Sequence, residues 1–125
     1  MKYVFDESVS DKIARALREL GKDCDPYSSH WVAGTADLAW IPIACSQGWC
    51  IVTADELLQD PEQRKALRNP TARVIVFAIA NLRYWDQVMT IFERWEQVEK
   101  VTLHRKPPYV LRFTTRGKDP QELRV

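Results

Sequence analysis

The chain has 125 residues, 46% of them hydrophobic, enough for one apolar core and a single domain spanning residues 1–125. The opening MKYVFDESVS lacks the long apolar stretch of a secretory leader, and no apolar run approaches the roughly 20 residues that cross a bilayer, so the sequence points to a soluble, cytoplasmic protein with no membrane partner. Net charge is only +1, yet residues 1–60 carry ten acids against five bases and residues 101–125 two against six, a division that suits an enzyme holding a cation and a polyanion side by side; ordinary solvated charge accounts for the same count.

From the N-terminus, Lys2 to Phe5 reads as a short strand ending at Asp6. Val9, Ile13, Ala16, Leu17 and Leu20 then repeat at helical spacing, with Ser8 or Ser10 as cap and Gly21 as stop. Residues 23–34 have no clear period and are expected to form a short strand and loop. A second helical pattern starts near Thr35 and carries Leu38, Ile41, Ala44 and Cys45 towards Gly48; Pro42 inside it predicts a kink or a late start. Trp49 to Thr53 alternates little, as a strand buried on both faces does, and ends at Asp55. Pro61 to Leu67 reads as a helix and Arg73 to Ala78 as another buried strand. Trp85, Val88, Met89, Phe92 and Trp95 mark a long amphipathic helix, with Trp85 and Trp95 assigned to the core, and Tyr109 to Thr114 adds a last strand. Alternation of strand and helix predicts an α/β domain around a mainly parallel sheet, its right-handed crossovers placing all the strand C-terminal ends on one edge.

Ligands of open α/β sheets bind outside that edge, and the acids gather there. Asp6 and Glu7 end the first strand, Asp55 and Glu56 follow the Trp49 to Thr53 strand, and Asp37 opens the helix between. Hard cations such as Mg²⁺ or Mn²⁺ take oxygen ligands and keep several waters, so two or three carboxylates suffice when a substrate phosphate completes the shell. Such a site activates water for hydrolysis of a phosphodiester. Taken singly, each aspartate reads first as a helix cap or turn acid; three on one edge reverse that preference in favour of the metal.

Thr53 could bond a carboxylate or a phosphate, though a strand-end threonine reads first as β-propensity; Arg64 and Lys65 are candidate phosphate contacts or equally a solvated helix face, and Arg105, Lys106 and Arg112 in the basic C-terminal part are further candidate phosphate contacts. Cys24, Cys45 and Cys50 have no ligand spacing and read as reduced core thiols, while His30 and His104 read as surface or loop histidines. A haloacid dehalogenase-type phosphatase needs an Asp two residues after its nucleophile, where this chain has Ser8. A signalling receiver needs Ser or Thr where the Arg73 strand ends in Ala78.

The stretches FDESVSDKIARALRELG and DLAWIPIACSQGWCIVTADELLQDPEQRKAL, the Asn81-Leu82 turn before a long helix, and the closing HRKPPYVLRF together resemble the PIN-like domains related to VapC-type toxins of toxin–antitoxin pairs. The resemblance runs nearly end to end. It implies a three-layer α/β/α sandwich and a Mg²⁺-dependent ribonuclease with RNA as substrate and a cognate antitoxin as partner, self-association into a homodimer being left open. By the same resemblance Asp6, Asp37 and Asp55 match the acidic metal-site positions, with Glu7 or Glu56 as the fourth acid. The competing reading is a PIN-like scaffold that binds RNA or protein without cutting.

Overall fold

The computed structural model describes residues 1–55, 60–117 and 119–125. Six strands, β1 (Tyr3–Phe5), β2 (Cys24–Asp25), β3 (Cys50–Thr53), β4 (Arg73–Phe77), β5 (Tyr109–Phe113) and β6 (Gln121–Glu122), form one sheet in the order β2-β1-β3-β4-β5-β6. The first five are parallel and β6 is antiparallel to β5. Four helices complete the fold: α1 (Asp11–Glu19), α2 (Asp37–Ser46), α3 (Pro61–Leu67) and α4 (Tyr84–Leu103).

Because side chains alternate along a strand, the central strands split their residues between two cores. Tyr3, Phe5, Val52, Ile75, Phe77, Leu111 and Phe113 pack against Ile13, Ala14 and Leu17 of α1 and Ile91, Trp95 and Val98 of α4. Ile51, Val74, Val76 and Val110 pack on the other face against Trp40, Ile41, Ala44 and Cys45 of α2 and Ala66 and Leu67 of α3. The result is the expected three-layer α/β/α arrangement.

Local signals explain the element ends. Ser10 caps α1 by accepting from the Lys12 N–H, and Gly21 follows the helix at φ +88°, which favours glycine. Pro61 occupies the first turn of α3, where its missing N–H costs nothing, and Asp60 caps that helix. Pro42 neither delays nor divides α2, which runs unbroken through it from Asp37. Residues 23–34 supply β2 and a single 3-10 turn, Tyr27–Ser29.

Two expectations need correction. Trp95 is buried in the core, but Trp85 is 67% exposed. The crossover from β4 to β5 moves in the same direction along the sheet as that from β3 to β4, yet α4 lies on the face opposite α3, so its hand is opposite to that of the earlier crossovers. At twenty residues α4 spans about 30 Å, long enough to cover the part of that face that the nine-residue α1 leaves bare. Since β5 remains parallel, the C-terminal ends still share one edge.

Candidate metal and phosphodiester site

Chain order reverses between β1 and β3: α1 leads from β1 one way to β2, and α3 leads from β3 the other way to β4. The crevice opened by such a reversal is where doubly wound sheets take ligands, and the acids lie at its rim. Asp6 directly follows β1, its N–H still bonded to Val52 O at 2.9 Å. Its side chain is turned inwards and the residue is only 4% exposed. Ser8 N donates to Oδ1 at 2.9 Å, Ser8 Oγ donates to the same oxygen, and Thr53 Oγ1 donates to Oδ2 at 2.5 Å. Ser8 Oγ in turn accepts from Ala54 N at 2.8 Å, locking the β1 and β3 ends together. Among the described residues every donor to this carboxylate is neutral. Burial pushes the Asp6 carboxyl up to about 6, the Asp55 charge adding to the rise and the Ser8 and Thr53 bonds opposing it.

Asp55 sits just past β3, its N–H bonded to Thr53 Oγ1 at 3.1 Å. Burial raises its carboxyl, the Gln63 side chain opposes the rise, and the charge of Asp60 reinforces it. Asp37 is the first residue of α2 and accepts from Trp40 Nε1 at 3.2 Å. Burial raises it too, with like charges on Asp60, Asp55 and Glu62 adding to the effect. The charges of the four aspartates thus bear on one another, Asp55 raising both Asp6 and Asp37 and Asp60 raising both Asp37 and Asp55. None has an ion-pair partner among the described residues.

This is an open arrangement. Among the described residues no three acids, histidines or cysteines close into a cage that would hold a metal by themselves. The oxygen-only donor set fits a hard cation that keeps waters and shares its shell with phosphate, as Mg²⁺ does; it does not fit a metal needing a full set of protein ligands.

Asp60 is the acid that sequence reasoning missed. Its side chain accepts from Glu62 N at 3.0 Å, and the signal was the Asp-Pro step at the start of α3. Glu7, one of the two candidates for the fourth acid, turns towards the loop after the 3-10 turn, its Oε1 accepting from Gly34 N at 2.9 Å. Glu56, the other, lies outside the described residues.

The candidate phosphate contacts divide by edge. Thr53 is fully buried and holds Asp6. Arg64 lies one turn into α3 with its Nε buried and without a hydrogen-bond partner, and Lys65 beside it is exposed. Arg112 stands on β5 in register with Val76, itself in register with Thr53, so the three share one face near the acidic edge. Arg105 and Lys106 precede β5 and therefore sit at the opposite edge, where Arg105 pairs with Glu122 at 3.3 Å. They do not join the acids. All three cysteines are free and buried, as expected, and His104 is exposed. His30 is instead half-buried, its Nε2 2.7 Å from Asp25 Oδ2.

No helix is long and apolar enough to cross a membrane among the described residues. No curated protein and no solved structure matches the chain significantly. Residues 1–80, which contain Asp6, Asp37, Asp55 and Asp60, match the family described as PIN like domain. With that match over more than half its length and the α/β/α sandwich to carry it, the chain belongs to the PIN-like domain family.

Proposed function

We infer that the chain is a metal-dependent ribonuclease, acting as the toxin of a toxin–antitoxin pair and hydrolysing RNA phosphodiesters at the Asp6 edge. One observation carries this reading: Asp6 is buried, pushed up towards neutrality by burial, and held only by neutral donors. A buried carboxylate is costly unless a cation meets it, and the described residues supply none to Asp6. Bound Mg²⁺ or Mn²⁺ would neutralise the aspartates and acidify a water for attack on phosphorus. Asp6 and Asp55 would bind the ion, Asp37 and Asp60 orient its water shell, and Thr53 and Ser8 keep the Asp6 carboxylate fixed. Arg64 and Lys65 on α3 approach from the phosphate side, and the guanidinium has donor capacity in hand. An antitoxin would find apolar purchase on α4, where Tyr84, Trp85 and Met89 are exposed.

A mixed RNA pool incubated with Mg²⁺, Mn²⁺ or EDTA tests the assignment, alongside Asp6→Asn and Asp55→Asn. Cleavage that needs metal and disappears in both variants is the expected result. Full activity in both variants overturns it, and absence of cleavage with RNA binding retained favours the non-cutting scaffold.

A further inference from the structure

A small pocket of about 250 Å³ lies beside the acidic edge, between the start of α1 and the 3-10 turn. We propose that this pocket, on the ribonuclease reading above, is a nucleobase subsite that selects guanine in single-stranded RNA passing Asp6. Trp31 stacks on the base, and Glu7, oriented by Gly34 and Tyr27, reads its N–H edge.

Position comes first. Glu7 lines the pocket and directly follows Asp6 in the chain, so a base seated there belongs to a nucleotide next to the phosphate at the acids. Size narrows the occupant: the volume falls short of the roughly 300 Å³ at which sites for drug-sized ligands begin, leaving room for one planar ring system and not a whole nucleotide. The wall is aromatic and already ordered. Trp31 is half-buried, with ring centroids of Trp40, His30 and Tyr27 at 5.0, 5.3 and 5.7 Å. A stacking platform held from behind loses little freedom when a base lands on it.

The polar groups choose among bases. Gly34 N fixes the Glu7 carboxylate at 2.9 Å and the Tyr27 hydroxyl interacts with it too, and a carboxylate has about four acceptor sites, so capacity remains for a ligand. Tyr27 is 4% exposed, and its buried hydroxyl, which makes no well-formed hydrogen bond, interacts with the Glu7 carboxylate and with Thr35, so it holds Glu7 in place from behind. Asp11, which accepts from Ser28 Oγ at 2.5 Å, adds a second carboxylate to the lining. Two carboxylates repel a phosphate and welcome donors. Guanine presents two adjacent donors, N1–H and the 2-amino group, to a single carboxylate. Adenine and cytosine put an acceptor beside their amino group, and uracil flanks its one N–H with two carbonyls.

The test measures binding in EDTA, where cleavage does not interfere, using short fluorescent oligouridines that carry one central guanine, adenine or cytosine. The guanine oligomer is expected to bind about tenfold tighter, the discrimination of one bidentate contact. Glu7→Gln keeps an oxygen for Gly34 N and erases that preference. Trp31→Ala weakens all the oligomers by about tenfold, and Trp31→Phe restores most of the loss, which a merely unfolded loop would not allow. Equal affinity for all bases, or a guanine preference that survives Glu7→Gln, overturns the proposal. Guanine-selective binding by a protein that cuts nothing in Mg²⁺ sinks the ribonuclease reading and leaves the pocket standing; metal-dependent cutting without base preference does the reverse.

Discussion

Asp6 and Asp25 stand on neighbouring strands of one sheet and are almost equally withdrawn from water, 4% and 8% exposed. Their surroundings are opposite. Lys2 Nζ lies 2.9 Å, His30 Nε2 2.7 Å and Arg18 3.3 Å from the Asp25 carboxylate. Burial pushes Asp25 up, but the bonds from Lys2 and His30 outweigh it and hold the carboxyl below its ordinary value. Among the described residues Asp6 has two hydroxyls and one amide, and no cation. The fold therefore finishes one buried charge and leaves the other unfinished. An internal ion pair needs no ligand, whereas a buried carboxylate surrounded by neutral donors and other acids is stable only with a proton or an external cation.

The sharpest way to break this comparison is to neutralise each aspartate in turn. Asp6→Asn should lower metal-dependent cleavage by about a thousandfold, the scale of several kcal/mol of lost transition-state stabilisation. Asp25→Asn should leave the rate within about twofold, since Asp25 acts only on the fold. Thermal denaturation separates the two again. Mg²⁺ at a hundred times its Kd should stabilise the wild type by about 2.7 kcal/mol, and Asp25→Asn should keep that gain while Asp6→Asn loses it. A metal gain that persists in Asp6→Asn would place the cation elsewhere.

Acid titration of the metal-free protein should show contributions of opposite sign. The Asp6 carboxyl is raised from 3.8 to about 6 in the fold, so its protonated form is the favoured one. Its contribution is fully present below pH 3.8 and is lost as pH rises through about 6, a swing of roughly 3 kcal/mol. Asp25 is lowered from 3.8; its contribution is present above that pH and is lost as pH falls through its folded value. Stability followed by urea denaturation should thus rise as pH falls from 7 towards 4 and drop below that. Asp6→Asn should flatten the upper limb and Asp25→Asn the lower one. At neutral pH, Asp25→Asn should cost about 2 kcal/mol, the scale of hydrogen bonds to a charged group.

Much of this was legible in the sequence because the signals are local. Strand ends at Phe5 and Thr53 followed by aspartates gave the rim of the site, and Asp60-Pro61 carried the α3 start. What distance in sequence conceals is phase and pairing. Trp85 and Trp95 lie ten residues apart, which at 3.6 residues per turn separates them by roughly 80°, so only one follows the buried stripe of Ile91, Trp95, Val98 and Thr102. His30 reads as a loop residue until β2 brings Asp25 under it. Glu7 reads as one of two candidates for a fourth acid, and its contact with Gly34 N, twenty-seven residues away, is invisible in the sequence. The hand of the α4 crossover depends on which face is left uncovered, and β6 has only two residues, too few for any period.

The smallest predicted effect concerns the bases at the two edges of the sheet. Arg64 lies on α3, the helix that follows the Asp55 end of β3, with a buried Nε that has no hydrogen-bond partner, whereas Arg105 precedes β5 at the far edge and pairs with Glu122. A side chain that meets phosphate releases counterions, and the log–log salt slope of single-strand binding falls by about 0.7 for each such contact removed. Arg64→Gln should therefore weaken RNA binding severalfold at low salt, flatten the slope by about that amount, and leave guanine preference intact. Arg105→Gln should change neither affinity nor slope, even though its residue carries the same charge in a more basic part of the chain. Equal losses in both variants would mean that RNA spans both edges and that net charge, not the geometry around Asp6, decides where it lies.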